Sequence, residues 1–269
     1  MNERPLLIEQ RGAVTVLTLN RPHVHNAMNP ELVCRLADAW KSFAADDNAR
    51  VAVIAGAGDS FCSGGDLAKT LPLLSGAREP EDDWDRRIVD DRQVAVAATL
   101  KTFDPGKPIV AAVTGHCLAG GMELMLGTHL RISSNDASFG LPEARHGLIP
   151  FGGSTVRLPR QFPQVHALEM LLTGASIEAA KAFEFGLLNR VAAKTDVLPM
   201  ALELAERIAR NSPVSIREIM RSVTGTNGLP LDQAFALETE CMDRVLSSND
   251  AKEGPAAFME KRQPRFTGT

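Results

Sequence analysis

Apolar residues recur in the first two thirds of the chain as short runs, separated by segments with helical periodicity. Residues 13–20 (AVTVLTLN) alternate and are rich in β-branched side chains, which predicts a strand. Residues 51–58 (VAVIAGAG) and 107–115 (KPIVAAVTG) are continuous apolar runs, typical of strands buried on both faces. Residues 29–46 have a helical period, with Asn29 as the N-cap. Alternating buried strands and amphipathic helices predict an α/β protein with a mainly parallel sheet.

The pattern changes after about residue 195, where helical periodicity replaces the apolar runs. We therefore expect residues 1–195 to form the α/β core. Residues 196–269 are expected to form a helical region that packs on the core or on a neighbouring subunit. A charged, irregular segment lies between Asp66 and Lys107, and we expect it to be a functional or mobile loop.

The composition is that of an ordinary globular protein. The 269 residues are 44% hydrophobic and 23% charged, with a net charge of −4, so nothing indicates nucleic acid or an anionic membrane as a partner. No apolar run reaches the roughly 18 residues of a spanning helix, and we expect no signal peptide at the N-terminus. The four cysteines form no CxxC pair, which predicts free thiols and no metal site. We expect a cytoplasmic protein.

Three glycine-rich turns directly follow predicted strands, at 58–67, 115–124 and 139–154. In a parallel sheet, ligands bind outside the carboxyl ends of the strands. Ser63–Gly65 in the first turn and Gly120–Gly121 in the second lack bulky side chains, so a ligand oxygen can approach their peptide N–H groups closely. One amide from each of the first two turns would form an oxyanion hole. For either turn alone, glycines that merely close the turn are the simpler explanation.

Two glutamates follow the second and third turns. Glu123 is the one charged residue of the apolar run CLAGGMELML (117–126), where it is either a helix-edge residue or a desolvated acid or base. Glu143 follows Pro142, where it either complements a helix dipole or joins a site. Because each glutamate follows a strand by a short turn, both can face one cavity at the strand ends. Paired carboxyls in different environments can divide acid and base roles.

Other candidate sites have less support in the sequence. The HxH pair at residues 23 and 25 has no third metal ligand nearby. Ser63 and His116 would be the nucleophile and base of a serine hydrolase, but the G-x-S-x-G turn and an orienting Asp are missing. Asp66 is expected to bind turn amides. No Walker or Rossmann pattern predicts a phosphate or NAD site.

Longer motifs run almost from end to end of the chain. They are TLNRPHVHNAMN (18–29), SFCSGGDL (60–67), KPIVAAVTGHCLAGGMEL (107–124), ASFGLPEARHGLIPFGGSTVRL (137–158), LLTGASIEAAKAFEFGLLNRV (171–191) and FMEKRQPRF (258–266). In combination they resemble the crotonase superfamily, also called the enoyl-CoA hydratase/isomerase family. The resemblance implies a crotonase-like ββα spiral core that carries an acyl-CoA site in residues 1–195. It also implies that the C-terminal α-helical region, residues 196–269, builds homotrimers or dimers of trimers.

The resemblance also assigns roles to individual residues. The thioester oxygen would lie in an oxyanion hole made by the peptide N–H groups of Ser63 and Gly120. Glu123 and Glu143 would hold the water that adds across the α,β double bond, with no permanently bound cofactor and with coenzyme A entering as part of the substrate. Further substrate or CoA contacts are expected from Asn26, Ala27, Met28, Gly64, Asp66, Leu67, Gly121, Pro142, Phe151 and Lys261.

The chain departs from the common hydratase pattern in three places. Phe151 and Ser154 replace glycines of that pattern, and Phe151 is expected to narrow the acyl pocket. Arg145 and His146 follow Glu143 where hydratases often carry apolar residues, and an inward Arg145 would change the protonation of Glu143. Residues 67–106 form a longer segment than in short-chain hydratases, so Trp84 and its neighbours are candidates for setting the substrate range.

The leading hypothesis is therefore an enoyl-CoA hydratase that acts on 2-trans-enoyl-CoA thioesters. An enoyl-CoA Δ3-Δ2 isomerase, which needs one carboxylate, or a specialised acyl-CoA lyase on the same scaffold remains an alternative. A non-catalytic, RNA-binding family member would need a basic surface helix. The predicted helix 29–46 carries only Arg35 and Lys41 against three acidic residues, which disfavours that function.

Overall fold

The computed structural model describes residues 4–269 and contains two sheets surrounded by helices. Its strands are β1 (Leu6–Arg11), β2 (Val14–Leu19), β3 (Val51–Gly56), β4 (Ile109–Val113), β5 (His116–Leu118), β6 (Leu130–Ser134), β7 (Ser138–Gly140), β8 (Ser176–Glu178) and β9 (Arg190–Ala192). Its α-helices are α1 (Pro30–Ala45), α2 (Thr70–Ser75), α3 (Asp83–Asp90), α4 (Arg92–Ala98), α5 (Gly120–Leu126), α6 (Ser154–Gln161), α7 (Gln164–Thr173), α8 (Ala179–Glu184), α9 (Lys194–Ala209), α10 (Pro213–Gly225), α11 (Leu231–Leu246) and α12 (Asn249–Met259). Pro22–Val24 and Pro142–His146 form 3-10 helices.

The larger sheet has six strands in the order β1-β2-β3-β4-β6-β9. Only β1 is antiparallel to its neighbour, and every other pair in this sheet is parallel. The smaller sheet has the order β5-β7-β8, with β5 and β7 parallel. Strands β3, β5 and β7 all end in the turns that the sequence marked as glycine-rich. The predicted α/β fold with a mainly parallel sheet is confirmed.

The two faces of the larger sheet pack against different helices. Successive strand residues point to opposite faces, so Leu17 and Ile54 belong to a core shared with α1 and α5. Val16 and Val53 belong to a second apolar cluster, which includes Val197 on α9. The apolar runs are continuous because both faces of the strands are covered.

The N-terminal cap of α1 follows the sequence-based prediction. The side-chain oxygen of Asn29 accepts a hydrogen bond from the Leu32 amide at 3.0 Å. The division of the chain at residue 195 stays a prediction. Helix α9 begins at Lys194 and so spans that division. It packs on the sheet through Val197 and Ala201, and these contacts join it to the α/β core.

The segment between Asp66 and Lys107 is helical over much of its length, so the prediction of a loop is wrong. It contains α2, α3 and α4. The acidic residues that made it look irregular stabilise helix starts: Asp82 accepts from the Asp85 amide, and Asp91 accepts from the Gln93 amide. In addition, Asp85 is buried and paired with Arg78 at 2.6 Å. The six-residue strand β1 and the three-residue strands β5, β8 and β9 also had no separate signal in the sequence.

The cysteines are free thiols, as their spacing predicted, and all four are buried. Burial raises the pKa of the Cys62 thiol to about 12 and that of Cys34 to about 11, so both remain protonated at neutral pH. Within residues 4–269, no helix is both long enough and apolar enough to cross a bilayer.

Candidate active site

One cavity of about 170 Å³ lies at the carboxyl ends of β3, β5 and β7. Its wall is mostly apolar and comes from the turn after β3, from α2 and α4, from the start of α5 and from the segment after β7. The predicted residues that line it are Met28, Ser63, Leu67, Gly120, Glu123, Pro142, Glu143 and Phe151. The three glycine-rich turns therefore meet at one site, as their positions after strands suggested.

The amide of Gly120 is available to a ligand. Gly120 is the first residue of α5, so its N–H has no acceptor within the helix. The preceding Ala119 holds a left-handed backbone conformation with φ of 47° and donates its own N–H to the Gly140 carbonyl at 2.9 Å. Non-glycine residues adopt this conformation only where the surroundings enforce it. The turn thus fixes the direction of the Gly120 N–H at the cavity wall.

The amide of Ser63 is not available, so its predicted place in the oxyanion hole is wrong. The Ser63 N–H donates to the His25 carbonyl at 3.0 Å. The next residues pair with Met28: the Gly64 carbonyl accepts from the Met28 amide, and the Asp66 amide donates to the Met28 carbonyl. Gly65 lies between them, so its N–H points to the opposite side. No acceptor within residues 4–269 bonds to the Gly65 N–H, and Gly65 lines the cavity.

Gly65 and Gly120 lie close together. A Cβ atom on Gly120 would be 3.6 Å from the Gly65 nitrogen. Gly64 must be glycine here, because its φ is +108° and a Cβ would approach that of Ala119 to 2.6 Å. The two loops therefore pack backbone against backbone and place two unbonded amides side by side.

Glu123 is buried, with 3% of its surface exposed, and faces the cavity from α5. The Ser154 amide donates to its Oε1 atom at 3.3 Å. A Cβ atom on Gly152 would lie 2.6 Å from its Oε2 atom, so only glycine allows this approach. Burial raises the pKa of Glu123, while the amides of Ser154 and Gly152 and the charge of Lys101 oppose that rise. These groups stabilise the ionised form of the carboxyl.

Glu143 has a different environment in the 3-10 helix Pro142–His146. It is 9% exposed, and its Oε2 atom is buried with no hydrogen-bond partner in the described part of the chain. Burial first, and then the charge of Glu123, raise the pKa of Glu143 to about 7. The amide of Glu143 itself opposes this rise, but no lysine or second amide adds to it as at Glu123. Glu143 therefore holds a proton more readily than Glu123 near neutral pH.

Arg145 points away from Glu143. Its Nε atom donates to the Thr173 carbonyl at 2.9 Å, and its side chain lies over Gly174. The proposed inward arginine is therefore not found, and no cation within residues 4–269 shifts the pKa of the Glu143 carboxyl appreciably. His146 does line the cavity, because residues three apart in a 3-10 helix share a face.

Several predicted binding residues support the site without lining the cavity. Asn26 is buried and donates to the carbonyls of Ala57 and Ser60 at 2.9 and 2.7 Å. The carboxylate of Asp66 accepts from the turn amides of Ala68 and Lys69, as the sequence suggested. It also pairs with Arg21 at 2.9 Å, and Arg21 donates in addition to the Ala27 carbonyl.

Two further glycines and one lysine complete the predicted set. A Cβ atom on Gly121 would overlap the Cys62 carbonyl, so this glycine serves close packing, as does Gly64. Lys261 follows α12, is exposed and does not line the cavity. Its contact with CoA phosphates stays a prediction.

The alternative sites are not assembled. The hydroxyl of Ser63 approaches the Val24 carbonyl at 3.4 Å, and the ring of His116 packs edge-on against His25. Within residues 4–269, no group of three or more His, Cys, Asp or Glu side chains is placed to hold a metal ion.

Sequence reasoning missed a group of residues behind Glu123. Gly152 and Ser154 contact its carboxyl directly. Thr99, Lys101 and Arg157 surround those contacts: Lys101 donates to the Phe151 carbonyl at 2.6 Å, and Arg157 donates to the Thr99 carbonyl at 3.0 Å. Most of these bonds go to backbone atoms, so no residue pattern announces them.

Comparison with known proteins extends these observations. The sequence profile described as enoyl-CoA hydratase/isomerase matches residues 9–269. Enoyl-CoA hydratase EchA19 of Mycobacterium tuberculosis is 39% identical over 260 residues, covering 97% of this chain and 95% of that protein. Carnitinyl-CoA dehydratase of Proteus mirabilis is 34% identical over 268 residues, covering 98% of each. A crystal structure of an enoyl-CoA hydratase from M. tuberculosis matches with a TM-score of 0.89 at 38% identity, covering 99% of this chain and 100% of the other.

These matches concern the family, the fold and the class of enzyme that the motifs predicted. Each spans almost the whole of both proteins, at 34–39% identity. The relatives are named as hydratases or dehydratases, which confirms the prediction of a hydro-lyase. The matched structure confirms the crotonase-like fold. The chain belongs to the enoyl-CoA hydratase/isomerase family.

Proposed function

We propose that the protein is an enoyl-CoA hydratase, which adds water across the α,β double bond of a 2-trans-enoyl-CoA thioester. The observation that carries this proposal is the meeting of two unbonded amides and two unlike carboxyls at one apolar cavity. The amides belong to Gly65 and Gly120, and the carboxyls to Glu123 and Glu143. Family membership and the hydratase names of the relatives support the same function.

The two amides would bind the thioester oxygen. When water attacks C3, negative charge develops on the thioester oxygen as an enolate forms. Preorganised donors stabilise this charge by about 3–4 kcal/mol each. The Gly120 amide also lies at the N-terminus of α5, where the helix dipole favours negative charge. The arrangement therefore binds the transition state more strongly than the neutral thioester.

The unlike carboxyls would divide the proton transfers. Glu123, whose ionised form is stabilised by two amides and a lysine, accepts a proton from water while the oxygen bonds to C3. Glu143, whose pKa is raised to about 7, supplies a proton to C2 as the enolate collapses. One proton is taken and one is given, so the product is the 3-hydroxyacyl thioester. Return of a proton from Glu123 to Glu143 through solvent restores the starting state.

The apolar wall would hold the acyl group and keep the site dry. Met28, Leu67 and Phe151 line the cavity together with leucine and alanine side chains of α2 and α4. Excluding water strengthens the interactions of both the amides and the carboxyls. We place coenzyme A outside this cavity, with Lys261 as the candidate for its phosphates.

Hydration of crotonyl-CoA tests this function. We expect the enoyl absorbance to fall as 3-hydroxybutyryl-CoA forms, with turnover by the purified wild-type chain. A β,γ-enoyl-CoA should be tested in parallel. Conversion of that compound to the conjugated thioester, with no hydration of either, would identify an isomerase and overturn the proposal. A panel of longer enoyl-CoA thioesters then defines the acyl range.

We also propose that the protein assembles into homotrimers or dimers of trimers. Large apolar side chains are exposed on the C-terminal helices, and those on α10 and α11 are Ile219, Val223, Leu231, Phe235, Met242 and Leu246. A second copy of the chain would remove this surface from water. Size-exclusion chromatography with light scattering gives the assembly mass, and a monomer at micromolar concentration would contradict the proposal.

The protein is expected to lose stability as the pH rises through the titration of Glu143. Folding raises the pKa of this carboxyl from 4.5 to about 7, so between these values the folded state holds a proton that the unfolded state lacks. Its contribution to stability is complete below 4.5 and is lost as the pH rises through about 7. Thermal melts of wild type and Glu143→Gln should therefore diverge in favour of the variant as the pH rises. A constant difference in Tm would contradict this linkage.

A further inference from the structure

The segment after α4 is bonded to the loop that contacts Glu123. The Lys101 ammonium donates to the Phe151 carbonyl at 2.6 Å, and the Thr99 hydroxyl approaches the Gly152 carbonyl at 3.3 Å. Some 50 residues separate the two segments in the chain. Residues 99–101 thus hold two successive carbonyls of the loop.

The held loop is the one that defines the position of the Glu123 carboxyl. The Gly152 Cα faces the Oε2 atom so closely that a Cβ would lie 2.6 Å from it, and the Ser154 amide donates to Oε1 at 3.3 Å. Any shift of residues 151–154 would therefore move or release the carboxyl. The contact from Lys101 to Phe151 is one residue away from this point.

The segment that carries Lys101 is itself held tightly. Arg157 on α6 donates to the carbonyls of both Thr99 and Leu100. Leu100 has a φ of 60°, a left-handed conformation that a leucine adopts only where its surroundings require it. Lys101 is thereby presented from a fixed turn, even though its side chain is exposed.

Few charges face Glu123. Lys101 lowers the pKa of the Glu123 carboxyl from the turn after α4. Arg157 faces it from α6, where burial lowers the pKa of the guanidinium and the charge of Glu123 opposes that fall. Glu143 faces it from the 3-10 helix, and there the effect of Glu123 is to raise the pKa of its neighbour. Lys101 therefore supplies both a bond to the loop and a favourable charge.

We propose that Lys101 is a positioning residue for Glu123, because its bond to the Phe151 carbonyl holds the Gly152–Ser154 loop against that carboxyl. Lys101 does not touch the reacting atoms in this role. The inference rests on the proposed hydratase function, in which Glu123 must be ionised and correctly placed to accept a proton from water. The position of the Glu123 carboxyl on α5 would then depend in part on the Lys101 side chain, which follows α4.

The test compares Lys101→Met with Lys101→Arg and with Lys107→Met. Lys107 is a matched control, because its ammonium donates to the Phe43 and Asp46 carbonyls at 2.8 and 2.7 Å, at the end of α1. We expect Lys101→Met to lower kcat about 10- to 100-fold with little change in KM, as for a misplaced catalytic group. The acid limb of its kcat/KM profile should move to higher pH, because a cation that favours ionised Glu123 is gone. Lys101→Arg should restore both, and Lys107→Met should change neither.

A fall in kcat without movement of the acid limb, or failure of Lys101→Arg to restore activity, would overturn the proposal. A second readout does not depend on turnover. The pH dependence of Tm should differ between wild type and Lys101→Met. It should not differ between Glu123→Gln and the Glu123→Gln/Lys101→Met double variant, because the carboxyl on which Lys101 is proposed to act is absent from both. Equal differences in both pairs would also overturn it. If the wild type fails to hydrate any enoyl-CoA, the proposed function fails, while this readout still decides whether Lys101 acts on Glu123.

Discussion

Glu123→Gln and Glu143→Gln should each lower kcat for crotonyl-CoA hydration by about 10²–10⁴-fold, the usual contribution of a positioned acid or base. Glutamine preserves the size of each side chain but cannot exchange a proton with water or with C2. Both carboxyls line the same cavity, so both variants should still bind the thioester with a nearly unchanged KM. Initial rates under saturating substrate measure the effect.

The double variant distinguishes a cooperating pair from two independent groups. If both carboxyls serve one reaction coordinate, losing the second should cost much less than losing the first. Glu218→Gln is a matched control, because Glu218 is 6% exposed and lies on α10, outside the cavity. It should retain wild-type kcat. Full activity in either single active-site variant would rule out the assigned proton transfers.

Gly152→Ala should lower kcat by about 100-fold, as expected for a displacement of a catalytic group by about 1 Å. The added methyl would lie 2.6 Å from Oε2 and 2.8 Å from Cδ of Glu123. The carboxyl or the loop must therefore move, and the bond from the Ser154 amide would be lost with it. Circular dichroism should show a folded protein, since the collisions involve only the ends of the Glu123 and Thr99 side chains.

Two controls test whether Gly152→Ala acts through Glu123. One is a glycine-to-alanine change outside the cavity, and the other is Gly152→Ala in a protein that lacks the Glu123 carboxyl. Gly254→Ala adds a methyl on α12, outside the cavity, where the first atom beyond its own helix lies 3.7 Å away on Phe266, so its kcat should equal that of the wild type. In a Glu123→Gln background, Gly152→Ala should add little further loss, because the group that it displaces is already inactive. Full additivity would mean that Gly152 acts through something other than Glu123.

The sequence was informative where a function depends on the position of a residue after a strand. Glu123 and Glu143 could be paired because each follows a strand of a parallel sheet, and strand ends meet at one edge. The N-cap Asn29 was likewise local to its helix. Such features need only a secondary-structure pattern and a turn.

The sequence was insufficient where a function depends on the direction of one peptide group. Ser63 and Gly65 both lie in the turn after β3, two residues apart, so a regular extended segment would point both N–H groups to the same side. The φ of +108° at Gly64 breaks that regularity. Only the bonds to His25 and Met28 show which amide faces the cavity. The contacts of Lys101 and Gly152 near Glu123 could not be predicted for a related reason. They join distant segments through backbone atoms, which every residue has.

The acidic residues at 82–91 show a different limit of structure prediction from the sequence. A cluster of charges predicts solvent exposure, yet Asp85 is buried in its pair with Arg78. Asp82 and Asp91 start helices that are too short to have a clear period. Tertiary packing made these helices, so composition alone was misleading.

The pair of amides at Gly65 and Gly120 has a consequence for how this enzyme can change over time. Both donors belong to the main chain, so replacement of a side chain cannot delete them in the way that it can delete a carboxylate. In the proposed mechanism, the donors that stabilise the enolate and the groups that move protons are therefore inherited separately. Under that mechanism, substitutions at Glu123 or Glu143 would redirect the fate of the enolate while the means of forming it is retained. New chemistry on this scaffold would then begin from a protein that already lowers the main barrier.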